Sequence, residues 1–278
     1  MAKEKQNKNT MRIISGLLGF PLIAAIIIFA NNILIDILAV AIAIISTYEY
    51  VHCFKSTKKA NPSMWYMLLI SLSLLFTHML NDEALKEILI ALPSISFLVL
   101  MIELVLSKGK KNIIDVAITT LGVCYIPMMI VFLSIIRERF TEGGILIWYV
   151  FFASWASDIF AYCVGRRFGK HKFTEVSPNK SIEGCIAGIV GASVASIIYT
   201  IIVNAITGLG INILLVGIIT TILSIVGQIG DLAASSIKRY CGLKDFGELI
   251  PGHGGMLDRI DSVIFILPFA YILLGLLM

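Results

Sequence analysis

Long apolar segments are the feature that most constrains this chain. About nine stretches of roughly 20 predominantly apolar residues, the length that crosses a bilayer as a helix, follow one another along the sequence. They lie near 13–31, 33–52, 64–80, 86–107, 113–136, 145–164, 184–206, 211–236 and 261–278. This pattern predicts an all-α fold, a polytopic integral membrane protein with about nine transmembrane helices.

The composition disfavours most other classes of protein. Hydrophobic residues make up 58% of the 278 residues and charged residues 14%, whereas a soluble domain carries about 25% charged residues. A secreted disulfide scaffold, a disordered tail and a nucleic-acid-binding domain are therefore disfavoured. The cysteines are odd in number, contain no CxxC pair and lie in or beside apolar runs, so we expect buried free thiols rather than disulfides or a zinc site. They are Cys53, Cys124, Cys163, Cys185 and Cys241.

Basic residues alternate between successive loops and predict the orientation in the membrane. Lys and Arg cluster in the tail 1–12 and in the loops near 55–59, 108–111, 165–183 and 237–260. The turns at 31–32 and 207–210 carry none, the loop at 81–87 carries only Lys86, and the loop at 137–144, with Arg137 and Arg139, is ambiguous. The positive-inside rule then places the N-terminus in the cytoplasm and the C-terminus outside. The two long polar loops, 165–183 and 237–260, face the cytoplasm, where nucleotides are found.

We expect one membrane domain over 1–278, because no internal repeat, low-complexity segment or soluble domain is visible. Residues 1–112 are interpreted as N-terminal scaffold helices, and 113–278 as the helices and cytoplasmic loops that carry the polar motifs. The basic tail before the first apolar run also resembles a signal peptide. Residues 17–30 contain no clear small-residue cleavage site, so a retained first span is favoured.

The first polar group closes the eighth apolar stretch. Asp231, Ser235 and Lys238 are spaced i, i+4 and i+7, so they share one helical face, which Gln228 extends. A carboxylate at this depth is costly unless it is paired or binds a cation. From the spacing alone, an Asp–Lys pair that closes a helix end and a functional site are equally good interpretations.

The second polar group is the loop that follows. Three glycines surround His253 and would let backbone N–H groups approach a phosphate. Asp258 and Asp261 are three residues apart and share a face if the last helix starts there; with Asp231 they would form a hard-oxygen site for Mg²⁺. The nearby Lys238, Arg239, Lys244 and Arg259 could neutralise phosphates. The alternative is a solvated glycine turn with aspartate caps.

The third polar group follows the sixth apolar stretch. Asp158 and Tyr162 are i, i+4 inside that stretch, and a basic loop with a Ser177-Pro-Asn-Lys180 turn comes next. A positive-inside anchor explains the basic residues but not Asp158. Among the other acids in or near apolar stretches a structural role is favoured, and Glu49 is the strongest functional candidate of that set. These acids are Asp36, Glu49, Glu103 and Asp115.

The run from Ser235 to Asp261 resembles the signature of the phosphatidate cytidylyltransferase (CDP-diacylglycerol synthase) family. The positions that carry the resemblance are Ser235, Lys238, Arg239, Lys244, Asp245, Gly247, Ile250, Pro251, His253, Gly254, Gly255, Met256, Asp258, Arg259, Ile260 and Asp261. The segments Asp158…Tyr162…Gly165 and Ser177 to Gly184 resemble the second polar region of the family. One position departs: members often carry an acid where this chain has Ala234, which gives Asp231 more weight.

The resemblance implies a reaction between CTP and phosphatidate that yields CDP-diacylglycerol and pyrophosphate, with Mg²⁺ and a possible second cation. It implies a cell-membrane protein with CTP, phosphatidate and the bilayer as partners, no nucleic acid and a homodimer as a possible assembly. The expected catalytic residues are Asp231, Lys238, Arg239, His253, Asp258, Arg259 and Asp261, with Asp231, Asp258 and Asp261 on the metal. The expected substrate-binding residues are Ser235, Ser236, Lys244, Gly254, Gly255, Asp158, Tyr162, Ser177 and Lys180.

Other functions stay open at this stage. Many spans with buried acids suit a secondary transporter, but no repeat is found and the polar residues cluster at one face. A CDP-alcohol phosphotransferase would need a DGxxAR-type motif, which is absent, and no GxxxxGK[ST] loop of a P-loop ATPase is present. A cytidylyltransferase for a different lipid phosphate and a non-catalytic scaffold are the remaining alternatives.

Overall fold

The computed structural model describes residues 26–27, 31–73, 82–249 and 254–277, and these residues are almost entirely helical. An isolated antiparallel bridge pairs Lys172 with Ser181. The helices are α1 (Asn32–Ser56), α2 (Met64–Ser73), α3 (Asp82–Leu106), α4 (Ile113–Tyr125), α5 (Pro127–Arg139), α6 (Gly143–Phe151), α7 (Ser157–Phe168), α8 (Ile182–Thr207), α9 (Ile213–Tyr240) and α10 (Leu257–Leu274). A π-helical turn, Phe152–Ala156, joins α6 to α7.

Among the described residues, six helical segments are long and apolar enough to cross a membrane: Asn32–Ser56, Ile113–Arg139, Gly143–Phe168, Ile182–Thr207, Ile213–Tyr240 and Leu257–Leu277. They correspond to six of the predicted spans, and the all-α prediction is confirmed for the described residues. The predicted first span, 13–31, lies outside those residues except for 26–27 and 31, and the predicted third span, 64–80, is described only as far as 73. The predicted fourth span falls in α3, of which Ser94–Leu106 is a shorter apolar helix.

The contacts divide the chain into two compact units. The first contains the described residues up to Ser134 together with Tyr240–Arg259. In this unit α1 packs on α2, and both α2 and α3 pack on α4. The hydroxyl of Tyr50 donates to the carbonyl of Ile118 (3.0 Å), and Asn112 and Asp115 form a capping box that starts α4. Asp115 is therefore structural, as its position suggested.

The second unit contains Ile135–Arg239 and the described residues from Ile260 onward. Its best-packed pair is α7 against α8, and small residues let the two backbones approach closely. A Cβ on Gly188 would stand 2.7 Å from the carbonyl oxygen of Ser157, and one on Gly184 would stand 2.8 Å from that of Ala161. The glycines of α8 are thus required by close helix packing.

Candidate active site

An ion pair in the second unit joins the third polar group to the first. Lys180 lies at the end of a turn in which its N–H donates to the carbonyl of Ser177 (3.1 Å) and Thr174 Oγ1 accepts from the N–H groups of Val176 and Ser177. This turn directs Lys180 onto Asp231 of α9, with which it forms a salt bridge; about a quarter of each side chain is exposed, 24% and 26%. The Ser-Pro-Asn-Lys turn is therefore a part of the site.

Lys238, on the same helix, faces a different acid. Its Nζ is 3.9 Å from a carboxylate oxygen of Asp261 at the start of α10, and both residues are buried. The other carboxylate oxygen of Asp261 accepts the N–H of Ser262 (2.8 Å). The i, i+7 interpretation of an Asp231–Lys238 pair is replaced by two pairs that link α9 to two other elements.

Asp158 adds a third acid to this group. Its charge acts on both Lys180 and Asp261, as does that of Asp231 on Asp261. We call these five residues, Asp158, Lys180, Asp231, Lys238 and Asp261, the charged cluster. Three carboxylates and two ammonium groups give it a formal charge of −1. Charge at this density beside apolar helices is costly, so the cluster is a functional-site candidate.

The π-helical turn positions the start of α7, where Asp158 lies. Ser154, inside the turn, shares a hydrogen bond with Ser262 (2.8 Å), the neighbour of Asp261. Ser157, directly before Asp158, accepts from Ser224 (2.9 Å) and from Gln228 Nε2 (3.2 Å) on α9. These hydroxyl and amide bonds therefore hold the residues next to Asp158 and Asp261 in the chain, and π-helical turns frequently mark functional positions.

Lys180 stays protonated in this setting. Burial acts to lower the pKa of Lys180, but the charge of Asp231, the hydrogen bond to Asp231 and the charge of Asp158 together outweigh burial. The pKa of Lys180 is therefore raised above its ordinary value of 10.5. At neutral pH Lys180 therefore keeps its positive charge, which suits a phosphate.

The first unit contains the second polar group, which we call the glycine-rich segment: residues 244–258, of which 250–253 lie outside the described residues. His253, a predicted catalytic residue, falls in that gap. Asp258 Oδ2 accepts the N–H of Phe246 (2.8 Å) and of Gly255 (3.0 Å). Glu49 of α1, which is buried, accepts the N–H of Met256 (2.9 Å) and of Leu257 (2.8 Å).

These contacts change the interpretation of the glycines. The N–H of Gly255 donates to a carboxylate of the chain itself, so the structure does not present it to a phosphate. Gly254 has a left-handed φ of +87°, which favours glycine, and a Cβ there would stand 3.2 Å from Asp258 Oδ2. The alternative, in which aspartate caps the glycine turn, is therefore the better interpretation of this segment, because Asp258 rather than a phosphate accepts the N–H of Gly255.

The chemistry of the donors, rather than a preformed cage, fits a magnesium ion. Within the described ranges, no group of three or more His, Cys, Asp and Glu side chains is arranged to hold a metal. Mg²⁺ is commonly bound by one or two carboxylates and completed by water and substrate phosphates. Asp231 and Asp261 of the charged cluster supply such hard oxygen atoms, each beside a lysine.

Comparison with known proteins agrees with this chemistry. The sequence model of the "Cytidylyltransferase family" matches residues 10–277. The chain belongs to this family. The resemblance carried by the polar segments between Asp158 and Asp261 is thereby confirmed, and the match extends over nearly the whole chain.

Several relatives of this chain are named phosphatidate cytidylyltransferase. It is 34% identical to the phosphatidate cytidylyltransferase of Bacillus subtilis (strain 168) over 268 residues, 95% of this chain and 97% of that protein. It is 42% identical to the Staphylococcus haemolyticus protein of that name over 171 residues, and the match covers 63% of the length of that relative. The match to the Staphylococcus saprophyticus protein is 39% over 195 residues, 70% of each chain.

The other predicted site residues divide between buried and exposed positions. Ser235 is buried on α9, while Ser236 is exposed and donates to the carbonyl of Leu232 (2.9 Å). Tyr162 is exposed and accepts from Arg166 (3.1 Å). The remaining cationic candidates are exposed: Arg239, Lys244 and Arg259.

The sequence interpretation did not include Glu49 among the site residues. The one sign in the sequence was the position of Glu49, an acid seven residues before the end of an apolar helix and near a predicted cytoplasmic loop. Its hydrogen-bond partners, however, are 207 and 208 residues away. No local spacing reveals a contact of that separation. Glu103, another acid of the same set, pairs with Lys111 and has a structural role.

Proposed function

We propose that this chain transfers the cytidylyl group of CTP to phosphatidate, which yields CDP-diacylglycerol and pyrophosphate for phospholipid synthesis. The observation that carries the proposal is the match over 95% of the chain to a protein named for this activity. The charged cluster supports it independently, because its acids and bases suit a reaction between two polyanions.

The reaction needs alignment and charge neutralisation more than proton transfer. An oxygen of the phosphatidate phosphate attacks the α-phosphorus of CTP, a new P–O bond forms, and the bond to the β-phosphate oxygen breaks as pyrophosphate leaves. The attacking oxygen is already anionic, so no strong base is required. Lys180 and Lys238 hold phosphate oxygens and lower the repulsion between the reactants. Arg239, the next residue along α9, is exposed and supplies a further cation.

Asp231 and Asp261 are the residues that would hold Mg²⁺, and Asp258 is the third predicted ligand. The bound ion would supply further neutralisation of phosphate charge. When substrate phosphates pair with the lysines beside Asp231 and Asp261, the two carboxylates are released from those lysines. The acids thus keep two functions, one with the lysines and one with the cation.

The charged cluster and the glycine-rich segment face the cytoplasm, with the N-terminus inside, the C-terminus outside and nine spans. Contacts within each unit support this orientation. In the first unit Lys59 lies 5.4 Å from the ring of Tyr240, and the N–H of Asn61 donates to Asp115 (2.5 Å), so loops assigned to the cytoplasm meet one another. In the second unit Arg139 contacts Tyr271, near the opposite end of α10 from Asp261. This contact supports an outside position for the ambiguous 137–144 loop.

Pyrophosphate release by the purified protein in detergent tests the proposed function. CTP, phosphatidate and Mg²⁺ are supplied together and then omitted one at a time. Release that requires all three supports the reaction, and substitution of other nucleotides or of a lipid without phosphate defines its selectivity. A folded protein that binds CTP yet releases no pyrophosphate with phosphatidate would contradict this choice of lipid.

Cysteine labelling tests the orientation. Glu142→Cys is expected to react with a membrane-impermeant thiol reagent in intact cells, whereas Glu175→Cys is expected to react only after the membrane is opened. Both are made in a Cys163→Ser background, because Cys163 is the exposed native thiol within the described ranges. The reverse pattern would place the site outside. Crosslinking in the membrane tests the expected homodimer.

A further inference from the structure

Glu49 reaches the start of the last helix with both of its carboxylate oxygens. Oε1 accepts the N–H of Met256 at 2.9 Å and Oε2 that of Leu257 at 2.8 Å. The first N–H groups of a helix have no partner within the helix and carry partial positive charge, so they favour an anion. A carboxylate from α1 therefore takes the place that an external anion would otherwise occupy at this helix end.

Two glycines of the segment lie directly against this carboxylate. A Cβ on Gly255 would stand 2.5 Å from Oε2 of Glu49, and one on Gly247 would stand 2.8 Å from Oε1. Neither glycine has a left-handed φ, so backbone conformation does not require glycine at these positions. Glycine is required there because the Glu49 carboxylate lies too close to leave room for a Cβ atom.

Asp258 completes the arrangement from within the segment. It accepts the N–H groups of Phe246 and Gly255, while Glu49 accepts the next two along the chain. The two carboxylates accept from consecutive residues, Asp258 from Gly255 and Glu49 from Met256. One N–H group before the 250–253 gap and three after it are thus bound to carboxylates of the chain, and these bonds hold the described residues on either side of the gap.

We propose that Glu49 is a positioning residue, which holds the described parts of the glycine-rich segment, 244–249 and 254–258, in the geometry that the transfer reaction requires. Gly247 and Gly255 are glycines to make room for its carboxylate and not to admit a phosphate. The inference rests on the proposed function, since the segment contributes Lys244 and Asp258 to the expected site. Glu49 itself touches no substrate; it acts through the backbone of the segment.

A pair of compensating substitutions tests the inference. Gly255→Ala alone places a methyl group against Glu49 and is expected to lower kcat about tenfold, since sub-ångström displacements near a reacting centre have effects of this order. Glu49→Asp withdraws the carboxylate by one methylene group and makes room for that methyl group. The double variant is expected to be at least as active as Gly255→Ala. A double variant whose loss equals the product of the two single losses would overturn the inference.

Glu49→Gln separates positioning from substrate binding. This variant keeps the shape of the side chain but leaves one helix N–H facing an amide, so kcat is expected to fall about tenfold while KM for CTP changes less than about twofold. Glu103→Gln, a paired acid of the same unit that does not touch the segment, is the matched control and keeps its kcat. A rise in KM with unchanged kcat would assign Glu49 to substrate binding instead.

Amide hydrogen exchange gives a readout that does not depend on activity. Peptides that cover 254–258 are expected to exchange faster in Glu49→Gln than in the wild-type protein, while peptides from α8 are unchanged. If the wild-type protein releases no pyrophosphate, the proposed function fails, and the exchange experiment still tests whether Glu49 holds residues 254–258 in place. Equal exchange at 254–258 in both proteins would overturn the inference.

Discussion

Exchange of the two charges in the Lys180–Asp231 pair separates its structural role from its chemical role. In the doubly substituted protein, Lys180→Asp with Asp231→Lys, the pair is kept but each charge lies on the other element. If the residues only hold the 165–183 loop against α9, the exchange is harmless. If Asp231 holds a cation and Lys180 a phosphate, the exchange abolishes activity although the fold survives.

The expected magnitudes follow from the burial of the pair. Each side chain is about one-quarter exposed, 24% and 26%, so the pair falls between an exposed pair, worth up to about 1 kcal/mol, and a fully buried one, whose disruption costs about 3–5 kcal/mol. We expect Asp231→Asn to destabilise the protein by about 2 kcal/mol, or roughly 4–8 °C in Tm. The exchanged pair is expected to recover most of this loss. Turnover is expected to fall about a hundredfold or more in both proteins, about 2.7 kcal/mol of transition-state stabilisation.

The assay combines thermal unfolding in detergent with pyrophosphate release at saturating CTP and phosphatidate. Glu103→Gln is the control, because Glu103 also pairs with a lysine but lies outside the charged cluster. It is expected to lose some stability and no turnover. An exchanged protein with wild-type turnover would refute the assignment of distinct roles to the two residues, and one that is as unstable as Asp231→Asn would refute the ion pair.

Three further outcomes are expected. Asp261→Asn leaves Lys238 buried beside a neutral partner and should lower both Tm and the rate, while Asp261→Asn with Lys238→Met should regain Tm but not rate, as measured by unfolding and pyrophosphate release. The pKa of Lys180 is raised above 10.5, so its ion pair contributes fully to stability below pH 10.5, and this contribution is lost as the pH rises through the raised pKa. The ion pair should therefore cause no change in Tm between pH 7 and about 9.5. A decline in Tm that begins near pH 8 would contradict this expectation. Gly188→Ala, whose Cβ would meet backbone at 2.7 Å, should destabilise by about 1–3 kcal/mol, whereas Gly217→Ala, which meets only the side chain of Ile197, should cost much less.

The spans could be predicted from the sequence because the bilayer fixes their length and excludes charge from their interior. Six predicted spans have counterparts among the described helices, and the boundaries differ by a few residues where polar side chains continue a helix beyond its apolar part. Helix α9 continues to Tyr240, four residues past the predicted boundary, because Lys238 and Asp261 pair at its end. Hydropathy does not register such a pair.

The partners within the site could be predicted only in part. Spacing correctly placed Asp258 and Asp261 at the start of one helix, which begins at Leu257. It did not identify that Lys180, rather than Lys238, faces Asp231, because that choice depends on how a turn 51 residues earlier packs against α9. The π-helical turn was equally invisible, since Phe152–Ala156 is as apolar and as helix-compatible as its neighbours.

The glycine-rich segment shows why composition alone misassigns an anion site. Glycines beside a helix start are typical of phosphate loops because their N–H groups are free to bind oxygen atoms. Here the N–H groups of Phe246, Gly255, Met256 and Leu257 bind the carboxylates of Asp258 and Glu49. A phosphate at those positions would displace a carboxylate or face its charge. Under the proposed function we therefore expect side-chain cations to meet the negative charge of the substrates. In the charged cluster these cations are Lys180 and Lys238, each of which pairs with an acid in this structure.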